Sequence, residues 1–357
     1  MKRPPLVFAL LAGLLLCGAP PAAGQSPKRF QSLATVLAEY DDNVYKTVSD
    51  EESDFLARLY FDARLAYAVT PRNRLDAAYT LGAKKFAEKT DEDTLINQLA
   101  LRYSNTGITN TYLGGETTLK FRNIRDEEED YNKLIARAFA GRYFAKGVSG
   151  EIFGAYTRFD FRTYDFYDYW TQSFGAEVKK AFSHAASMGF HYIFEDKHFP
   201  FRAYENLPTA EGEVFLRETS ELRNDTAHEV GFFVAASSFV LVNFGYDLLM
   251  NDSNSYGDVY YNHRFRLAVS KAITDRLNAH LFAIANFRDS FQKVLIPHSF
   301  SVEEDDENFN QLVAKTAYRI TGRFWLEARY SRFWSQYSVR DFNYTKNTYA
   351  LGLSTSF

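Results

Sequence analysis

The chain has a single cysteine, Cys17, in 357 residues. That cysteine sits inside an N-terminal apolar run, so a chain that loses the run has no thiol. Disulfides, thiolate metal centres, iron–sulfur clusters and a cysteine nucleophile are then excluded. Proline is scarce, at 9 residues. A large soluble β-solenoid or sandwich would need more turn punctuation than that. Beyond residue 24 no apolar run approaches the roughly 20 residues that a membrane-spanning helix requires. An excess of positive charge is also missing. The formal net charge is −4, which leaves no electrostatic footprint for nucleic acid.

Catalytic signatures are missing as well. There is no nucleophile elbow, no HExxH and no CxxCH. The histidines are scattered: His191, His263 and His280 fall in predicted strands, His184 in a turn, and His198, His228 and His298 near loops. His184 and His191 are seven residues apart, which is not a ligand spacing on one strand face. The sequence therefore predicts neither an enzyme nor a metal or cofactor site.

What is present begins with Lys2 and Arg3, an apolar run from Leu6 to Leu16, and small residues and prolines up to Gly24. This is the pattern of a secretory signal peptide. Ala22 and Gly24 fit the small-residue sites before cleavage at Gln25. Cys17 raises the alternative of lipidation, but Leu16 stands where the lipidation signal wants a small residue. The expected division is a signal peptide over 1–24 and one domain over 25–357.

Aromatic residues are abundant, with 33 Phe and 24 Tyr, while mean hydropathy is only −0.33. A membrane β-barrel reconciles the two, because half of each strand faces lipid and half faces water. The strand pattern agrees. From Ala57 to Tyr67, one face carries Ala57, Leu59, Phe61, Ala63, Leu65 and Tyr67, and the other carries Arg58, Tyr60, Asp62 and Arg64. Such alternation recurs along the chain. It predicts strands near 30–41, 54–69, 74–85, 93–104, 109–124, 131–144, 149–163, 169–182, 186–197, 225–237, 239–252, 258–270, 276–290, 307–321, 323–337 and 346–357. The expected fold is an all-β, transmembrane, antiparallel up-and-down barrel of about sixteen strands, an even number as single-chain bacterial barrels require.

Connections alternate between tight turns, as at Pro71–Asn73 and Ser183–Ala185, and longer polar loops, as at 42–53 and 291–306. That places all tight turns and both termini at one rim, the periplasmic one. Residues 198–224 are ambiguous, with three readings: a long external hairpin, a loop folded into the pore, or a further strand pair giving eighteen.

The last stretch, Tyr349 to Phe357, alternates Tyr349, Leu351, Leu353, Thr355 and Phe357 against small or polar residues, with Gly352 sixth from the end. A terminal aromatic on an alternating strand resembles the signal read by the bacterial barrel-assembly machinery. It implies that machinery as a partner, with outer-membrane lipid and lipopolysaccharide as surroundings.

If the apolar set faces lipid, the opposite set lines the interior. The basic candidates are Arg58, Arg64, Lys84, Arg102, Lys120, Arg122, Arg158, Arg162, Lys179, Arg264, Arg266, Arg288, Arg319 and Arg329. The acidic ones are Asp62, Asp76, Glu116, Asp160, Glu177, Glu195, Asp247 and Glu327. Two readings stand: a water-filled path that favours anions, or cross-strand pairs that fill the interior. The aromatics Tyr164, Phe166, Tyr167, Tyr169 and Trp170 suit either a rail that stacks sugars or an interface girdle. The acidic runs Asp50–Glu52, Asp126–Asp130 and Glu303–Glu307 suit solvated loops, or cation bridges to lipopolysaccharide phosphates.

Near the first strand stands Glu39-Tyr40-Asp41-Asp42-Asn43-Val44-Tyr45. This segment, with the strand rhythm that follows it to Phe357, resembles the opening of the type 2 β-barrel porin family. The resemblance implies an outer-membrane channel, often associated with exopolysaccharide export and so with periplasmic export proteins. The expected function is a porin-like channel for hydrophilic solutes or a secreted polysaccharide. The alternatives are a sheath around a partner such as a multihaem cytochrome, and a structural or adhesive barrel with a filled lumen.

Overall fold

The computed structural model describes residues 29–125, 130–162, 168–208, 214–291, 310–335 and 343–357. The predicted signal peptide, with Cys17, lies outside them. The described chain is a succession of antiparallel strands: β1 (Arg29–Asp41), β2 (Asp54–Thr70), β3 (Asn73–Phe86), β4 (Thr94–Asn105), β5 (Thr111–Ile124), β6 (Tyr131–Tyr143), β7 (Val148–Phe161) and β8 (Tyr169–Ser183). Then come β9 (Ala186–Pro208), β10 (Val214–Ser237), β11 (Leu241–Ser253), β12 (Tyr260–Ala272), β13 (Leu277–Ser290), β14 (Asn310–Arg319), β15 (Phe324–Trp334) and β16 (Thr345–Ser356). Each strand pairs with its sequence neighbours, and β1 pairs with β16, so the sheet closes. Closure leaves no unpaired edge, the condition for crossing a bilayer with strands.

The outward face is apolar and uncovered. Val36, Phe55, Leu59, Ile152, Phe174, Val178, Phe190, Leu351 and Leu353 are all exposed. A soluble sheet would bury such a face against a second layer; here lipid is the layer that it fits. Phenylalanine and isoleucine crowd the rim of the tight turns, as at Phe144, Phe182, Phe239, Ile273, Ile320 and Phe357. Towards the loop rim Tyr40 meets Phe55 and Tyr330 meets Tyr349 at centroid distances of 5.1 and 5.2 Å.

Residues 198–224 resolve into the first of the three readings. β9 and β10 run on past their neighbours as one hairpin, paired out to Val214↔Pro208 with irregular register around Leu222. A bilayer needs only about ten residues of tilted strand, so strands of 23 and 24 residues project beyond the rim. The hairpin leans on the 254–259 loop: Tyr256 donates its N–H to the Tyr204 carbonyl at 2.8 Å. The count stays at sixteen.

The closure seam is fastened at both ends. At the turn rim, Ser32 and Phe357 exchange backbone hydrogen bonds of 3.0 and 2.9 Å, while the Phe357 ring stays outside, 65 % exposed. Midway, Gly352 lies against β1, where a Cβ would collide with the Val36 carbonyl oxygen and with Leu37. At the loop rim, Asp42 accepts from the Asn347 backbone at 2.6 Å and from its Nδ2 at 2.8 Å. Lys346 pairs with Asp41 at 2.5 Å. Asn43, 0 % exposed, donates to the Thr345 and Thr47 carbonyls at 3.1 and 2.7 Å and accepts from Thr47 N–H at 2.9 Å. The Asp-Asp-Asn segment is thus a clasp across the first and last strands. Val44 beside it packs with Leu56 and Phe86.

Candidate functional site

Cross-strand partners in an antiparallel sheet share a face, so the register assigns every strand residue to one side. Starting from exposed Leu351 and Leu353 and following the pairs round, the inward set includes Glu39, Arg58, Arg64, Lys84, Arg102, Lys120, Arg122, Lys133, Arg137, Arg264, Arg266, Arg288, Lys315 and Arg329. Lys179 and Arg319 lie on the same face, as do the acidic Asp62, Asp76, Glu116, Glu177, Glu195, Asp247 and Glu327.

Three expected interior residues lie elsewhere. Arg158 pairs in register with Trp170, on the face of exposed Phe174. Its side chain is 59 % exposed and bonded to Asp160 at 2.8 Å, so both are outward. Arg162 lies past the end of β7, held by Asp130 at 3.3 Å. The cause is local. Near the loop rim the outward face leaves the apolar belt and tolerates charge, while the inward positions of β7 hold Phe159 and Phe161 instead. Reading charge as interior therefore inverted this strand.

Two groups of neighbouring strands carry most of the inward positive charge. One is β3–β6, with Lys84, Arg102, Lys120, Arg122, Lys133 and Arg137. The other is β12–β14, with Arg264, Arg266, Arg288, Lys315 and Arg319. In a ring of sixteen strands these arcs stand about half a circumference apart. Carboxylates concentrate between them, on β1 (Glu39, Asp41) and on β7–β11 (Glu151, Glu177, Glu195, Glu229, Asp247).

Much of this charge is organised in networks. Glu39, with its side chain 0 % exposed, is gripped by Arg58 at 2.5 Å and by Arg329 at 2.6 Å, one guanidinium from each side of the seam. Arg137 bridges Glu116 at 3.1 Å and Glu151 at 2.6 Å. His191 Nε2 lies 3.2 Å from Glu229 and 3.3 Å from Asp247. Gly231 makes room for that imidazole, since a Cβ there would strike both the ring and Asp247. The three donor atoms are close enough to share a cation. However, Arg266 already holds Asp247 at 2.8 Å and Arg264 approaches Glu229 at 3.7 Å, so the wall itself balances these carboxylates. A recess of about 590 Å³ opens beside them, lined by Arg137, Phe153, Glu177, His191, Glu229 and Arg266 among others.

The second inward feature is aromatic. Tyr131, Phe159, Tyr169 and Phe199 follow one another across β6–β9, with centroids 4.6, 5.3 and 5.7 Å apart. Cations stand over these rings: Lys120 and Arg122 over Tyr131, Lys133 over Phe159, Lys197 over Tyr169 and Arg223 over Phe199, at 4.3–5.9 Å. Tyr131 and Phe159 are only 2 % exposed, so their faces are taken. Of the aromatics expected as a rail or girdle, Tyr169 points inward and Trp170 outward; Tyr164, Phe166 and Tyr167 lie outside the described residues, as do Asp126–Glu129 and Glu303–Glu307.

Sequence reasoning missed Glu39, Lys133, Arg137 and His191. β6 mixes Tyr131, Ile135 and Phe139 with Lys133 and Arg137 on one face, which hides the alternation. The clue was there in the spacing of four between Lys133 and Arg137, an even number that puts both on one side. Three other strand histidines are tied to hydroxyls: His228 to Tyr192 (2.8 Å) and His263 to Tyr246 (2.9 Å) on the outward face, and His280 to Ser270 (2.9 Å) on the inward face; His198, on β9, lies 3.0 Å from Asp196. His280 sits in register with Lys315, a cation where a serine–histidine pair doing nucleophilic chemistry has a carboxylate.

No family model matches this chain, and no curated protein does. Similar solved structures exist. A bacterial polysaccharide outer membrane secretin shares 11 % identity at a TM-score of 0.43, over 91 % of this chain and 97 % of that one. OccAB3 of Acinetobacter baumannii shares 10 % at 0.44, over 92 % and 99 %. The outer membrane protein OpdK of Pseudomonas aeruginosa shares 8 % at 0.45, over 92 % and 99 %.

Proposed function

We propose that this chain is a bacterial outer-membrane channel that passes hydrophilic solutes and favours anions. One observation carries the reading: two basic arcs face each other across the interior of a closed barrel, at β3–β6 and β12–β14. Charge lining a water-filled path sets which ions enter it. The alternating Tyr349–Phe357 strand supports delivery by the barrel-assembly machinery. The exposed apolar belt supports contact with outer-membrane lipid, with lipopolysaccharide around the loop rim and both termini in the periplasm. The type 2 porin resemblance adds a polysaccharide as a cargo class and periplasmic export proteins as partners. The histidine contacts support transport rather than catalysis.

The experiment is single-channel conductance of the refolded barrel in a planar bilayer, with the reversal potential measured in a salt gradient. Stable open steps and a potential displaced towards the chloride equilibrium are expected. Cation preference would sink the charge argument, and a folded but silent barrel would sink the open channel.

A further inference from the structure

On the inward face, β9, β10 and β11 bring one imidazole and two carboxylates together. His191 and Asp247 flank Gly231 in one row of register pairs, and Glu229 stands two residues along β10 from Gly231, on the same face. The space that a Cβ at Gly231 would take is filled by the His191 ring and by Asp247. His191 Nε2 is 3.2 Å from Glu229 Oε1 and 3.3 Å from Asp247 Oδ1. An imidazole nitrogen carries at most one hydrogen, so a single N–H serves two carboxylates poorly. Charge-assisted hydrogen bonds close to about 2.7–2.9 Å, and both separations are longer than that. They match a different arrangement. Two ligand atoms bound about 2.0–2.1 Å from a tetrahedral metal stand about 3.3 Å apart. The three donor atoms, all within 4.8 Å of one another, are spaced as ligands of one small cation.

The neighbouring arginines suit an outer shell around that cation. Arg264 approaches Glu229 at Oε2, 3.7 Å away. Arg266 lies closer to Asp247 Oδ2 (2.8 Å) than to Oδ1 (3.1 Å). Each guanidinium thus takes chiefly the oxygen that is turned from His191. A group that holds a ligating carboxylate from behind fixes its direction. We propose that His191, Glu229 and Asp247 form a binding site for a divalent transition-metal ion of the zinc type. An imidazole ligand favours zinc and its neighbours over magnesium and calcium, which take shells of oxygen. Three protein ligands leave the ion an open position. The recess of about 590 Å³, lined by His191, Glu229 and Glu177 among others, gives access to it. Glu177 stands directly opposite His191 on β8. Bound there, the dication ties three neighbouring strands and adds positive charge to the acidic sector between the two basic arcs. The site does not depend on the channel reading above.

The test is binding of Zn²⁺ to the untagged, full-length folded barrel in detergent, read by titration calorimetry and by the shift in unfolding temperature. Micromolar Zn²⁺ is expected to bind and to raise that temperature for the wild type, while Mg²⁺ and Ca²⁺ at the same concentration leave it unchanged. His191→Gln and Glu229→Gln should each lose at least tenfold in apparent affinity, whereas His280→Gln, elsewhere on the inward face, should not. A wild type that Zn²⁺ neither binds nor stabilises would overturn the assignment and leave a proton as what joins the three groups. Variants that bind as the wild type does, or an equal response to Mg²⁺ and Ca²⁺, would overturn it too. Should the variants not fold, carbethoxylation footprinting of the wild type decides: Zn²⁺ must protect His191 several-fold more than His280, and equal protection sinks the site. A barrel that binds Zn²⁺ at His191 yet stays silent in a bilayer would refute the channel and leave this site standing.

Discussion

At the scale of single residues, the side chain with most at stake is Asn43. It is fully buried and makes four hydrogen bonds, two of them to carbonyls, and one of those belongs to the opposite end of the chain. Asn43→Ala would leave the Thr345 and Thr47 carbonyls and the Thr47 N–H without these partners. The expected loss is about 2 kcal/mol of unfolding free energy, the scale for buried polar groups left unsatisfied. Urea titration of the refolded barrel, followed by the mobility difference between heated and unheated samples on gels, measures it. An unchanged midpoint would mean that the clasp is ornamental. The sequence showed the Tyr-Asp-Asp-Asn segment as a family resemblance without a reason. The reason needs the partner residues Thr345 and Asn347, some three hundred positions away, which no local pattern can supply.

Among the elements, period-two alternation located all sixteen strands, because one wet face and one greasy face leave a strong signature. It failed where a strand's two faces are chemically alike or reversed. β6 puts lysine, arginine, tyrosine and phenylalanine on one side. β7 puts aromatics inside and Arg158 with Asp160 outside near the loop rim. The β9–β10 extension was the other hard case, since beyond the membrane neither face has lipid to match. That extension gives a direct test of orientation. Arg217 lies in the projecting part of β10, its side chain 61 % exposed and paired with Glu205. Trypsin added to intact cells should nick the chain at or near Arg217 and leave the barrel body resistant. Cleavage that needs permeabilised cells would invert the topology and put the loop rim in the periplasm.

For the whole molecule, the register sorts charge as well as faces. A single-letter tally shows a slightly acidic protein, yet the interior is basic along two opposed arcs. Of the acidic runs, Asp50–Glu52 lies in the loop between β1 and β2, and Asp126–Glu129 and Glu303–Glu307 lie outside the described residues. The distribution of inward charge around the ring was not legible in the sequence, because angular position depends on strand order and closure. Closure also has a price in time. The seam joins Asp42 to Asn347 across a separation of 305 residues, and tying a loop that long costs about 5 kcal/mol of chain entropy by the logarithmic rule. Every other pairing in the ring is between sequence neighbours and can form early. β1 is therefore the first strand to emerge and the last to be satisfied, and its open edge is a template for wrong partners throughout. A chain cut after Trp334, lacking β16, should hold its hairpins yet never show the heat-sensitive mobility of a closed ring, and should aggregate instead. In kinetic terms the final strand is the rate-setting one: folding is a wait for the far end of the chain, and the clasp at Asn43 records its arrival.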